Sequence, residues 1–186
     1  MKMVYPSFPM SHVMDLPDTL AEIDAFRAAM AKSFITFDPG DVDEKSLADK
    51  AVHAAREGLQ TLDLTINGAP MHIKLREILD IAADIDGQIY ARDFMLVRQS
   101  DMIVSYIPEL PGTEGKAGKP GLSSGVEREL QHAHEHAKDV FVIWKPKKEP
   151  SPFITQTANK VFRSVDEAFA YFDQKGYFQP HSLFGS

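Results

Sequence analysis

Two apolar runs constrain this chain more than anything else in it. Residues 101–107 read Asp-Met-Ile-Val-Ser-Tyr-Ile, and residues 140–144 read Val-Phe-Val-Ile-Trp. Both are short, rich in β-branched and aromatic side chains, and nearly free of charge. A strand of that composition must be covered on both faces, as the inner strands of a parallel sheet are. Between the two runs lie a Gly- and Pro-rich loop, 108–122, and a segment of helical pattern from Ser123 to Ala137. Strand, loop, helix, strand is the building unit of an α/β sheet.

The same alternation extends along the rest of the chain. Met3 to Tyr5 reads as a short strand, followed by a turn from Pro6 to His12. Pro17-Asp18-Thr19 starts a helix whose Leu20, Ile23, Phe26 and Met30 recur at helical spacing. Phe34 to Phe37 is a second strand, stopped by Asp38-Pro39-Gly40. A polar helix is expected over Ser46–Glu57, ended by Gly58, and Asn67-Gly68-Ala69-Pro70 reads as a loop or turn. From His72 to Arg98 the pattern is largely helical, with a break near Asp86-Gly87. Val161-Phe162 adds a last strand, and Ser164 with Glu167 matches a capping box. The expected architecture is α/β: an open, mostly parallel five-stranded sheet with helices on both faces, Rossmann- or flavodoxin-like. It forms one domain over residues 1–186.

Bulk properties narrow the partners. The formal net charge of -7 leaves no basic stripe to neutralise a phosphate backbone, so nucleic acid is not the expected partner. The absence of Cys excludes disulfides, thiolate metal sites and Cys nucleophiles. No apolar run approaches the roughly 18 residues of a membrane span, and Met1-Lys2-Met3-Val4-Tyr5 lacks a signal-peptide pattern. The chain is therefore expected to be cytoplasmic and away from membranes.

Open α/β sheets bind ligands beyond the carboxyl ends of their strands. Ser123-Ser124-Gly125 opens a helix at that position, and the N–H groups of a first helical turn suit an anion such as phosphate. Glu129 follows in the same helix, with Glu127 as the rival carboxylate. Asp93 precedes the buried strand from Asp101, and a helix carrying it to the same sheet edge would pair two carboxylates in one cleft. Such a pair suits glycosidic chemistry, one group attacking or stabilising C1' and the other handling the leaving group's proton. Tyr5 ends the first strand, and a phenol there can hold a nucleophilic carboxylate in attack geometry. Each residue alone has a blander account: a solvated carboxylate, or a Tyr packed at a strand end.

Two other motifs invite a different chemistry. Gly112 to Pro120 resembles a P-loop, but its glycines are one residue too far apart and Pro120 occupies the Mg²⁺-binding position. Glu129, His132 and His136 share one helical face, a three-ligand spacing without the His-Glu-x-x-His motif. A helix with exposed histidines accounts for them, so neither a metal nor another cofactor is expected.

Taken in order, these elements resemble the nucleoside 2-deoxyribosyltransferase superfamily. The resemblance runs over most of the chain. It rests on Val4-Tyr5-Pro6-Ser7-Phe8-Pro9-Met10-Ser11, Phe37-Asp38-Pro39, Arg92-Asp93 with Asp101 eight residues on, and Ser123-x-Gly125-x-x-x-Glu129-Leu130-x-x-Ala133, continuing to Trp144. The Ser-x-Gly-x-x-x-Glu spacing is most like the 2'-deoxynucleoside 5'-monophosphate N-glycosidase branch. The resemblance implies that Glu129 attacks C1', that Asp93 contacts the base and supplies or relays its proton, and that Tyr5 orients Glu129. It implies that Ser123 and Gly125 hold a 5'-phosphate, with Ser7, His12 and Asp101 as further substrate-binding candidates. The family register also favours Glu129 over Glu127. The ligand implied is a small nucleoside or nucleotide, and the assembly implied is a homo-oligomer. The opening turn, Ser7 to His12, departs from the family's Gly-rich turn and lacks its Arg; His12 is the candidate replacement.

A second reading keeps the fold and drops turnover: a module that binds or senses a nucleotide. A third is a structural or interaction domain. The carboxylate pair favours the enzyme, and the altered first turn favours the binding module.

Overall fold

A computed structural model describes residues 1–10, 13, 15–41, 50, 51, 53–66, 69–75, 85–112 and 118–178. Five strands form one all-parallel sheet: β1 (Met3–Ser7), β2 (Ile35–Thr36), β5 (Met102–Ile107), β8 (Asp139–Trp144) and β9 (Lys160–Phe162), in the order β2-β1-β5-β8-β9. Numbered along the sheet-forming strands alone, this is the 2-1-3-4-5 order of flavodoxin-like folds, whose direction of winding reverses between the first and third strands. Here that switch point lies between β1 and β5, which pair from Val4↔Met102 to Ser7↔Ser105.

The two apolar runs behave as their composition demands. All six residues of β5 are buried, as are the last five of β8. Helices cover the sheet on both sides. On one face lie α1 (Pro17–Ser33) and α5 (Val165–Gln174), whose Ile23, Phe26, Met30, Ala168 and Phe172 pack with Val4, Val104, Phe141 and Phe162. On the other lie α2 (Ile85–Gln99), α3 (Ser124–Glu135) and α4 (Pro152–Thr157), whose Leu96, Val126, Leu130, Ala133 and Ile154 pack with Tyr5, Ile103, Val140 and Val142. Period-two alternation thus sends Tyr5 and Ser7 of β1 toward α2 and α3, and Val4 toward α1.

Local signals set several element ends. Pro17 occupies the first turn of α1, where its missing N–H is harmless. Ser164 caps α5 by accepting from the Glu167 N–H at 3.1 Å, and Glu167 Oε2 accepts from the Arg163 N–H at 2.7 Å. Gly58 takes φ +75°, a left-handed conformation that ends the helical residues 53–56.

Three expectations are corrected. β1 does not stop at Tyr5; it runs through Pro6 to Ser7. Phe37 N–H donates to the Val4 carbonyl, so residues 4 and 6 direct their backbone groups toward β2. β2 ends at Thr36, which pairs with Val4, so the donor that Pro6 lacks has no strand to serve. Second, β3 (Thr61–Ile66) and β4 (Ala69–Lys74) form an antiparallel hairpin where helix was expected from His72. Asp86-Gly87 lies in the first turn of α2, and residues 76–84 before it lie outside the described residues. Third, the segment 108–122, read from sequence only as a loop, carries two short strands, β6 (Glu109–Leu110) and β7 (Lys119–Pro120), which pair antiparallel. Gly118 is required there: a Cβ would lie 2.6 Å from the Leu110 carbonyl oxygen. Among the described residues no helix is long and apolar enough to cross a membrane.

Candidate active site

Glu129 sits on α3 between the buried Val126 and Ala133, on the stripe that faces the sheet. Directly beneath it are the two polar side chains of β1. The Tyr5 hydroxyl donates to Glu129 Oε1 at 2.9 Å, and the Ser7 hydroxyl donates to Oε2 at 2.6 Å. Tyr5 and Ser7 are wholly buried, whereas Glu129 keeps part of its surface open. Both carboxylate oxygens are thus held from below by hydroxyls on a rigid central strand. A carboxylate fixed in this way loses little freedom on reaching a reacting carbon above it.

α2 supplies the second carboxylate. Asp93 receives the Arg92 guanidinium on Oδ1, both Nε and Nη2 lying 2.8 Å away. The charge of Asp93 raises both the Glu129 carboxyl and the Tyr5 phenol. Burial first, and the charge of Asp93 second, push the Glu129 carboxyl up to about 7; the Ser7 and Tyr5 hydrogen bonds and Arg92 pull the other way. Burial and the neighbouring carboxylates hold the Tyr5 phenol well above its ordinary value, so it stays a donor.

Glu127 and Glu129 are separated cleanly. Glu127 is exposed in the first turn of α3, while Glu129 is engaged by β1. The other expected contributors divide. Ser123 caps α3, its hydroxyl accepting from the Val126 N–H at 3.3 Å. Gly125 is exposed, and an added Cβ would approach only Ser123 Oγ, at 3.7 Å, so the backbone there is open to close approach. Ser7, expected among substrate contacts, grips Glu129 instead. Asp101 is not brought to this site. It precedes β5 at the amino edge of the sheet, where its carboxylate accepts from the Met3 N–H at 2.8 Å. His12 lies outside the described residues.

Glu129, His132 and His136 do not converge. Glu129 turns toward β1, while the His132 ring lies tilted against Phe94 and His136, with centroids 4.4 and 4.1 Å away. Among the described residues no three potential ligands gather around one point. The part of Ser7 missed in the sequence had one signal: Tyr5 and Ser7 are two residues apart, which puts them on one face if the strand continues. Comparison with family models and with curated proteins returns no match to this sequence.

Proposed function

We propose that the chain cleaves or exchanges the N-glycosidic bond of a (deoxy)nucleoside or its 5'-monophosphate, in the manner of the nucleoside 2-deoxyribosyltransferase superfamily. The observation that carries this reading is the double grip of Tyr5 and Ser7 on Glu129, with the charge of Asp93 close by. Glu129 attacks C1', and its oxygen forms an ester bond as the C1'–N bond breaks. The electron pair of that bond goes to the base nitrogen, which takes a proton supplied or relayed through Asp93. Water then attacks C1', gives up a proton and releases the free sugar together with the Glu129 carboxylate; an incoming base in place of water gives exchange. The first turn of α3, with Ser123 and the open backbone at Gly125, suits a 5'-phosphate.

A panel of nucleosides and 5'-monophosphates, followed for free base, tests the reading. Release is expected from the wild type, lost in Glu129→Ala and kept in Glu127→Ala. Tight nucleotide binding with no release from any member of the panel would instead support a sensing module of the same fold.

A further inference from the structure

β5 carries one residue that its composition does not explain. Ser105 interrupts a wholly buried apolar strand, is itself 0% exposed, and its hydroxyl has no hydrogen-bond partner. Buried polar side chains are rarely left so. Ser105 shares its strand face with Ile103 and Ile107, which pack with Tyr5 beneath α2 and α3. Its direct partner across the β1–β5 pair is Ser7. Neighbouring strands lie about 4.8 Å apart, and a serine hydroxyl turns between staggered positions about a single bond. A turn toward β1 brings the Ser105 hydroxyl to Ser7 Oγ. Ser7 spends its proton on Glu129 Oε2 and keeps lone pairs to accept another.

We propose that Ser105 is a positioning residue for Glu129, acting through Ser7. Its hydroxyl donates to Ser7 Oγ, and Ser7 donates to Glu129 Oε2, so that two serines on adjacent strands form one chain ending on the carboxylate. Such a chain strengthens its last link, because each hydroxyl that accepts becomes a better donor. It also fixes the direction of the Ser7 proton. Its functional meaning rests on Glu129 being the nucleophile; its existence does not.

The other groups facing Glu129 are Tyr5 from β1 and Asp93 with Arg92 from α2, and they are unchanged in the variants that test this. The pH titration of the Glu129 carboxyl is followed by carbon NMR in protein labelled at glutamate, assigned with Glu129→Gln. Ser105→Ala is expected to raise the midpoint by about half a unit, because the carboxylate loses support. Ser7→Ala is expected to raise it further, and adding Ser105→Ala to Ser7→Ala should change nothing more, the mark of a residue that acts through another. Ser105→Thr keeps the hydroxyl and should keep the wild-type midpoint. Ser105→Gly serves as the deletion variant should Ser105→Ala not fold.

An unchanged midpoint on deleting the hydroxyl overturns the proposal. So does an equal shift with and without Ser7, or a Ser105→Thr shift matching that of Ser105→Ala. Turnover is measured separately on the nucleoside and nucleotide panel. Coupled titration without base release removes the glycosidic reading and leaves the serine chain standing. Base release without coupling does the reverse.

Discussion

The hydroxyl of Tyr5 and the carboxylate of Glu129, 124 residues apart in the chain, meet at 2.9 Å across the packing of α3 on β1. Tyr5 is fully buried in the sheet and Glu129 reaches the surface. The sheet thus holds the donor still beneath a half-buried carboxylate on the helix.

Removing that donor is expected to misplace the carboxylate without unfolding the protein. Tyr5→Phe keeps the buried ring and loses only the hydrogen bond. We expect kcat to fall by about tenfold to a hundredfold, the scale of a small misplacement at a reacting centre. KM should change much less. Steady-state kinetics on whichever panel substrate releases base reads this directly, and an equal loss in Ser7→Ala would show that both oxygens need holding.

Asp93 predicts opposite movements in rate and titration. Its charge helps raise the Glu129 carboxyl to about 7, while the guanidinium of Arg92, which it binds, lowers it. Asp93→Asn removes the first effect and leaves the second. The acidic limb of the kcat/KM profile is therefore expected to move to lower pH. The maximal rate should fall by about a hundredfold or more if the leaving base loses its proton source. A limb that stays in place would mean that Asp93 contributes nothing to the Glu129 titration.

The same shift has a consequence for stability. The folded protein keeps Glu129 protonated up to about 7, well above the ordinary value of 4.5. Between those values the folded state binds more protons than the unfolded chain, so stability falls as pH rises and is lowest above the folded value. The loss is roughly 3 kcal/mol at most, less whatever the solvent at its open edge recovers. Glu129→Gln cannot ionise. It should melt several degrees above the wild type at pH 8.5 and level with it at pH 4, as thermal melts at the two pH values will show.

Local patterns offer Tyr5, Glu129 and Asp93 only as candidates, each with a blander account, and the resemblance joins them into one set and favours Glu129 over Glu127. Ser7 enters the sequence reading only as a substrate contact; its hold on Glu129 is hidden because Pro6 reads as a strand breaker. That reading ignores where the missing N–H points, and it points past the end of a two-residue neighbour, β2. The β3–β4 hairpin was missed for a different reason. Thr61-Leu62-Asp63-Leu64-Thr65-Ile66 alternates strictly and leads into Asn67-Gly68, a strong hairpin signal. Reading Asn67 to Pro70 as a plain loop and starting the helix at His72 leaves the second strand of that hairpin without a place. Asp101 entered the candidate site by resemblance alone. Placing it needed only the direction of the strand it opens: a residue before a parallel strand lies at the amino edge, away from the ligand end.

Two glycines should separate fold from phosphate binding. At Gly118 an added methyl meets the Leu110 carbonyl at 2.6 Å and Glu109 Oε1 at 2.5 Å, and the backbone contact cannot swing aside. Gly118→Ala is therefore expected to cost about 1–3 kcal/mol by overpacking the β6–β7 pair, read as a lower melting temperature. At Gly125 the added methyl meets nothing nearer than 3.7 Å, and the residue is the second of α3. Gly125→Ala should leave the melting temperature unchanged or raise it slightly, since Ala suits a helix better. In the proposed function its methyl would stand where the 5'-phosphate approaches the backbone. KM for 5'-monophosphates is then expected to rise while KM for the parent nucleosides stays level. An equal rise for both would place the phosphate elsewhere.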